Sequence, residues 1–225
     1  MYNLLSRRKF SLYMAEFDIE TKIKEMLANA RKVAIVPSVV DGADSFAAAV
    51  GLYRMLSSKG KDSSILYPGT VPAGLEGITE GINISTSVGS RSLVVSIDYS
   101  GTTASKVNYT TENDVLSFYL TPVDRDFDLS KVKTEITGPD FDLYITVGIQ
   151  SFEDTGVLRE HLQAEISKSK VINIDNNSLN TRFGTLYLVD ASMESLSLLI
   201  LNKAPKWDLV IDQRSAKALT TGIYR

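Results

Sequence analysis

Apolar and polar positions follow two different rules along this chain. From Asp18 to Ala30, Ile19, Ile23, Met26, Leu27 and Ala30 recur on one face of a 3.6-residue period. Asp18 stands at the N-cap position and Glu20 in the first turn, so an amphipathic helix is predicted. The runs VAIVPSVV (33–40), DLYITV (142–147) and VINI (171–174) are instead short, mostly apolar and β-branched. That is the pattern of strands covered on both faces in a parallel sheet. After the first run and the loop DGADS, FAAAVGLYRMLSSKG reads as an apolar helix with Gly60 as its C′ residue. KDSSILY (61–67) is the next strand, turned at Pro68-Gly69, and the succession makes a βαβ unit. Residues 75–84 are weakly patterned and fit a short helix plus loop.

Ser92–Asp98, Lys106–Tyr109 and Val115–Leu120 are strand-like, the last two joined at Asn113-Asp114. Their alternation predicts an antiparallel meander or hairpin inserted into, or added to the edge of, the main sheet. Further on, the chain predicts a helix from about Phe152 to Ser167, a strand in TLYLVD, a helix over Met193–Leu201 and the opening of a last helix at Ser215–Thr221. The fold class expected is therefore α/β, a central mostly parallel sheet with helices on both faces plus an inserted antiparallel hairpin or meander. Residues 1–17 read as an N-terminal extension and 18–225 as a single α/β domain with inserted strands at about 92–121. Met14 is an alternative start, and the N-terminal stretch lacks the apolar core and cleavage pattern of a signal peptide.

Composition narrows the chemistry more than the fold. Zero cysteines exclude thiolate sites and disulfides, and the one histidine, His161, excludes a multi-histidine metal centre within the chain. A serine-histidine relay would need His161 itself, which lies in HLQAE on an expected helix surface. With 24 Lys+Arg against 27 Asp+Glu, no global basic field favours long nucleic acid. No apolar run reaches the ~20 residues of a membrane span, so a cytoplasmic protein without a membrane partner is expected.

The stretch with most chemical content is Lys170–Gly184, KVINIDNNSLNTRFG, a buried strand ending in an acid, two amides and a turn. Asp175 then lies at the carboxyl end of a strand, where open α/β sheets bind ligands. Extended to VINIDNNSLNTRFGTLYLVDASMESLSLLIL, this segment resembles one of the DHH phosphoesterase superfamily that reads approximately VINIDHHxSNxxFGxxNLVDxxASSxSEllxxLL, as in oligoribonuclease and pAp phosphatase-like members. VAIVPSVVDGADSFAAAVGLYRMLSSKGKDSSILYPG is similar to the family's first motif, a strand running into HxNPDGDAxGS and a helix. DLYITVGIQSFEDTGVL resembles its second, a strand ending DxSDxxxLG. The segments occur in family order and, with WDLVIDQRSAKALTTGI, span most of the chain outside residues 85–140.

The resemblance implies an α/β domain whose motif residues hold two divalent cations, commonly manganese, that activate water against a phosphoester. Carried over residue by residue, most ligands are replaced. Ser38 stands at the first-motif histidine position, Gly42 and Asp44 at the two aspartates, or Asp41 when the gap is shifted. Gly148 stands at the second-motif aspartate, and Asp175, Asn176 and Asn177 form the name-giving triplet with both histidines replaced. The chain also stops where the resemblance leads one to expect a DT motif and a smaller substrate-binding domain.

Each residue has a structural alternative. Asp175 can cap a turn, Asn176 and Asn177 can bond the loop backbone, Asp41-Gly42 is a common turn pair and Asp44 a natural helix N-cap. Arg182 on its turn can meet a phosphate or be solvated, and Ser100–Thr103 can offer an anion amides and hydroxyls or be an ordinary loop. The expectation is a catalytically degenerate DHH-like domain, acting as a noncatalytic nucleotide-binding or protein-interaction module, without a cofactor. Its partners are then a nucleotide or short oligonucleotide, an unidentified protein, or a second copy. The alternative is a phosphodiesterase or phosphatase on short oligonucleotides or nucleotide phosphates, with Mg²⁺ or Mn²⁺ held by Asp44, Asp98 and Asp175. A purely structural subunit is the third expectation.

Overall fold

The structure, a computed structural model, describes residues 18–89, 92–98, 100, 106–121, 128–138, 140–166 and 169–225. The predicted extension at residues 1–17 and three residues of the anion-loop reading, Gly101, Thr102 and Thr103, lie outside that set. The described residues up to 88 and from 140 onward form one compact unit, and those between form a second.

In the first unit, residues 18–29 are helical (α1). They are followed by β1 (Lys32–Pro37), α2 (Gly42–Ser58), β2 (Asp62–Leu66), a 3-10 turn at Glu76–Ile78 and the short β3 (Ile84–Ser85). The second unit holds β4 (Ser92–Ile97), β5 (Lys106–Glu112), β6 (Val115–Thr121) and β7 (Val132–Thr137). The first unit resumes with β8 (Leu143–Val147), a 3-10 segment over Phe152–Leu158, α3 (Arg159–Ile166) and β9 (Lys170–Asp175). It closes with β10 (Leu186–Val189), α4 (Leu196–Lys203) and α5 (Gln213–Ile223).

Six strands make one parallel sheet in the order β10-β9-β8-β1-β2-β3. Both of its faces are buried, which explains the mostly apolar, non-alternating runs. Val33, Ile35, Leu143, Ile145, Val147, Ile172 and Ile174 point into a core shared with Ile23 and Leu27 of α1, Phe46 and Leu52 of α2, Leu199 of α4 and Leu219 of α5. The intervening Ala34, Val36, Tyr144 and Val171 point the other way, against Leu158, Leu162 and the partly buried Phe152 and Phe183. Helices thus cover both faces.

α2 is buried from Ser45 to Leu56 apart from Arg54, as an apolar-all-round helix must be. It packs closely on α5, since a Cβ on Gly51 would lie 2.6 Å from Leu219 Cδ2. Its start differs from expectation: it takes in part of the DGADS loop and places Asp44 inside its first turn, so Asp44 is not its N-cap. At the other end Gly60 takes φ +76°, as its predicted C′ role requires. The expected continuous helix from Phe152 is broken, because Gly156 at φ 58°, ψ −129° kinks a 3-10 segment away from α3.

In the second unit β5 and β6 form the predicted antiparallel hairpin, with Asn113 and Asp114 both at positive φ in the turn. Among the described residues no meander forms. β4 pairs antiparallel with β7, a strand the pattern did not reveal, and the two ribbons are sheets of their own rather than an edge of the main sheet among the described residues. The register shows why β7 is cryptic. Only Val132 and Ile136 of VKTEIT are apolar, and they meet Ile97 and Leu93.

Candidate functional site

Strand order places the site. From β1 the chain moves outward to β2 and β3, then returns to β8 on the other side of β1 and continues to β9 and β10. The order therefore reverses between β1 and β8, and the crevice beyond the carboxyl ends at such a switch point is the usual ligand position in α/β sheets. The residues that follow β1 and β8 there are Ser38 and Gly148, and Asp175 ends the adjacent β9. Sequence-expected site residues from all three motifs thus meet at one end of the sheet.

Their side chains are engaged with one another and with the backbone. Ser38 is buried, and its hydroxyl accepts the N–H groups of Val40 and Asp41 at 3.1 and 3.2 Å. Its own N–H is shared between Ser45 Oγ and the Val147 carbonyl, both at 2.8 Å, while the Ser45 hydroxyl donates to that carbonyl at 2.7 Å. Gly148 takes φ +69°, and a Cβ there would lie 2.6 Å from Leu196 Cδ1 and 2.9 Å from Asp41 Oδ2. The volume that a side chain at position 148 needs is already filled.

Asp44 reaches across to α4. Its Oδ2 accepts the Leu196 N–H at 2.6 Å and its Oδ1 the Ser197 N–H at 3.0 Å. Ser195 Oγ accepts the Leu198 N–H at 3.0 Å. The first three amides of α4 are thereby satisfied, and a carboxylate faces the positive end of its dipole. The close approach extends to α5, where a Cβ on Gly222 would meet Ser197 Oγ and Asp44 Oδ1.

Asp175 is completely buried. Its Oδ1 accepts the N–H groups of Asn176 and Asn177 at 2.8 and 3.2 Å, and its Oδ2 accepts Asn180 Nδ2 at 2.7 Å. Asn180 Nδ2 also donates to the Ile149 carbonyl at 2.9 Å, which ties the β9 loop to the β8 loop. Asn176 Nδ2 donates to the Met193 carbonyl at 3.1 Å, and Asn177 Oδ1 accepts the Leu179 N–H at 2.9 Å. Arg182 takes φ 57°, donates its N–H to Asn180 Oδ1 at 2.6 Å and sets its guanidinium 5.7 Å from the centre of the Tyr187 ring.

Burial holds the Asp41 carboxyl above the usual carboxylate range, the charges of Asp175, Asp44 and Asp154 push the same way, and the Ser38 hydroxyl opposes them. Asp154 belongs to a capping box in which its Oδ2 accepts from Ser151 N and Oγ, both at 2.9 Å. Among the described residues, no three acidic or imidazole side chains gather closely enough to hold a metal ion. Asp98, the third expected ligand, belongs to the second unit, where it accepts the Ser100 N–H at 3.0 Å. That bond and the Ser100 hydroxyl lower its pKa.

Sequence reasoning passed over Ser45, Asn173, Asn180 and Leu196. Asn180 was visible in the SLN triplet of the resembling segment. Asn173, fully buried, donates to Thr146 Oγ1 and to the Ile149 carbonyl, so it braces the same loop from inside the sheet. Leu196 carried no signal, because its role is to fill space that Gly148 leaves.

No family model matches the chain. Among solved structures, the chain is similar to an exopolyphosphatase-related protein from Bacteroides fragilis, with a TM-score of 0.60 and 16% sequence identity over 93% of this chain. It spans 49% of that protein's length, and the likeness is one of fold.

Proposed function

We propose that this chain is a DHH-like phosphoesterase domain that keeps the α/β sheet of its relatives but serves as a noncatalytic module binding a nucleotide or another protein. The observation that carries the reading is the state of its carboxylates. Each oxygen of Asp44 and of Asp175 accepts a hydrogen bond from a backbone amide or from a carboxamide within the chain. Those bonds hold both carboxylates to the loop and helix backbones, and among the described residues no three acidic or imidazole side chains gather closely enough to hold a metal ion. Gly148 adds no ligand, and Asn176 and Asn177, which bond the loop through Nδ2 and Oδ1 respectively, bring uncharged carboxamides where the family has imidazoles. The donor set does not fit a dinuclear centre of the family kind, so no hydrolytic step is assigned.

The fold likeness to an exopolyphosphatase-related protein supports the phosphoesterase-like ancestry in this reading. The test is turnover of short oligonucleotides and nucleotide phosphates by the full chain with Mn²⁺ or Mg²⁺, beside an Asp175→Ala control. Turnover at the level of the control is expected. Metal-dependent hydrolysis that the substitution abolishes would establish a reduced active site instead.

A further inference from the structure

In the second unit the hairpin of β5 and β6 has one apolar face, and on the other β5 is polar while β6 adds Val115 and Tyr119. Val107, Tyr109 and Thr111 pair with Leu120, Phe118 and Leu116, while Lys106, Asn108, Thr110 and Glu112 alternate with them on the other face. Every residue of β5 is exposed, Val107 at 65% and Tyr109 at 71%, and β6 is its one sheet partner among the described residues. A two-stranded ribbon with an open apolar face is marginal alone and gains from further strands.

The register identifies which groups face the open edge. Asn113 and Asp114, at φ 52° and 63°, make a two-residue turn of the I′ kind, which closes on Glu112 and Val115 as a hydrogen-bonded pair. Bonded and non-bonded pairs alternate from there. Thr110, Asn108 and Lys106 therefore bond inward to β6, and Thr111, Tyr109 and Val107 direct their N–H and C=O groups outward.

We propose that β5 pairs antiparallel with β5 of a second copy of this chain, on a twofold axis at Tyr109, to make a four-stranded sheet across the dimer. On that axis Tyr109 meets Tyr109 of the second copy and Val107 meets Thr111, so every outward-facing residue enters a bonding pair. Lys106 falls opposite Glu112 of the second copy, and Glu112 opposite Lys106. Those are close, non-bonded pairs, in which side chains approach best. The two charges stand equidistant from Tyr109 on one face, so the strand is complementary to itself. The other edge, β6, has no charged residue and offers no such match.

Sedimentation of the full chain over a range of concentrations tests this independently of the site chemistry. The wild type is expected to show a monomer–dimer equilibrium. Glu112→Lys and Lys106→Glu, each placing like charges opposite one another twice, weaken self-association roughly tenfold. An equimolar mixture of the two variants restores it, because the unlike chains then pair with opposite charges at both ends. Tyr109→Pro removes an N–H that the β5–β6 ladder does not use, so it leaves the ribbon's circular dichroism unchanged and abolishes the dimer. A wild type that stays monomeric throughout, a mixture no stronger than its components, or a Tyr109→Pro chain that dimerises normally would each overturn the proposal.

Discussion

Gly148 holds φ +69° with Leu196 and Asp41 where its side chain would be, and both conditions favour glycine. Gly148→Ala combines a left-handed backbone penalty with overpacking, so it should cost about 2–4 kcal/mol, read from denaturant midpoints. Gly148→Asp should cost more and should not create a metal site. Asp175 makes a similar point with hydrogen bonds. In Asp175→Asn the carboxamide must turn its NH₂ either toward the two backbone amides or toward Asn180 Nδ2, so a donor faces a donor. A loss of about 1–3 kcal/mol is expected. A variant as stable as wild type would show that the carboxylate is not held by these bonds.

Asp44 acts on an element remote in sequence, as the acid that completes the N-terminus of α4. Asp44→Ala should destabilise the protein by about 1–3 kcal/mol and speed hydrogen exchange first at Leu196 and Ser197. Glu20 ties α1 to the end of α4 and the turn after it, accepting Lys203 Nζ and Lys206 Nζ, each at 2.8 Å, with both Glu20 and Lys203 buried. Burial raises the Glu20 pKa, but the bonds and charges of Lys203 and Lys206 outweigh it and leave the pKa lowered from 4.5. A lowered folded-state value means that this stabilisation is present above the unfolded pKa and is lost as pH falls through the folded one. Glu20→Ala should therefore cost about 1–3 kcal/mol at neutral pH, by removing the carboxylate that the buried Lys203 ammonium meets, and the deficit should shrink in acid urea titrations. Strands and helices of the main sheet were legible because burial on both faces writes itself as β-branched runs and apolar helices. The partners of Asp44 and Glu20 were not, since α4 lies far along the chain from both and no local period links them. The β4–β7 pairing was hidden because VKTEIT carries only two apolar positions, Val132 and Ile136.

For the molecule as a whole, the sheet brings Ser38, Asp41, Gly148 and Asp175 to its reversal between β1 and β8, the place where a ligand site was expected. The position was readable from strand ends alone. What the chain does there depended on packing that no motif records: the space at Gly148 filled by Leu196, and the carboxylates bonded to amides. Among the described residues no helix is long and apolar enough to cross a membrane, in line with the hydropathy of the chain. The exopolyphosphatase-related structure matches this chain along 49% of its own length, so whatever the remainder contributes lies outside the comparison. Calorimetric titration of Mn²⁺ into the full chain, beside Asp175→Asn, tests whether the crevice holds a metal ion. No saturable heat is expected in either protein. Stoichiometric binding to the wild type that Asp175→Asn removes would contradict that expectation.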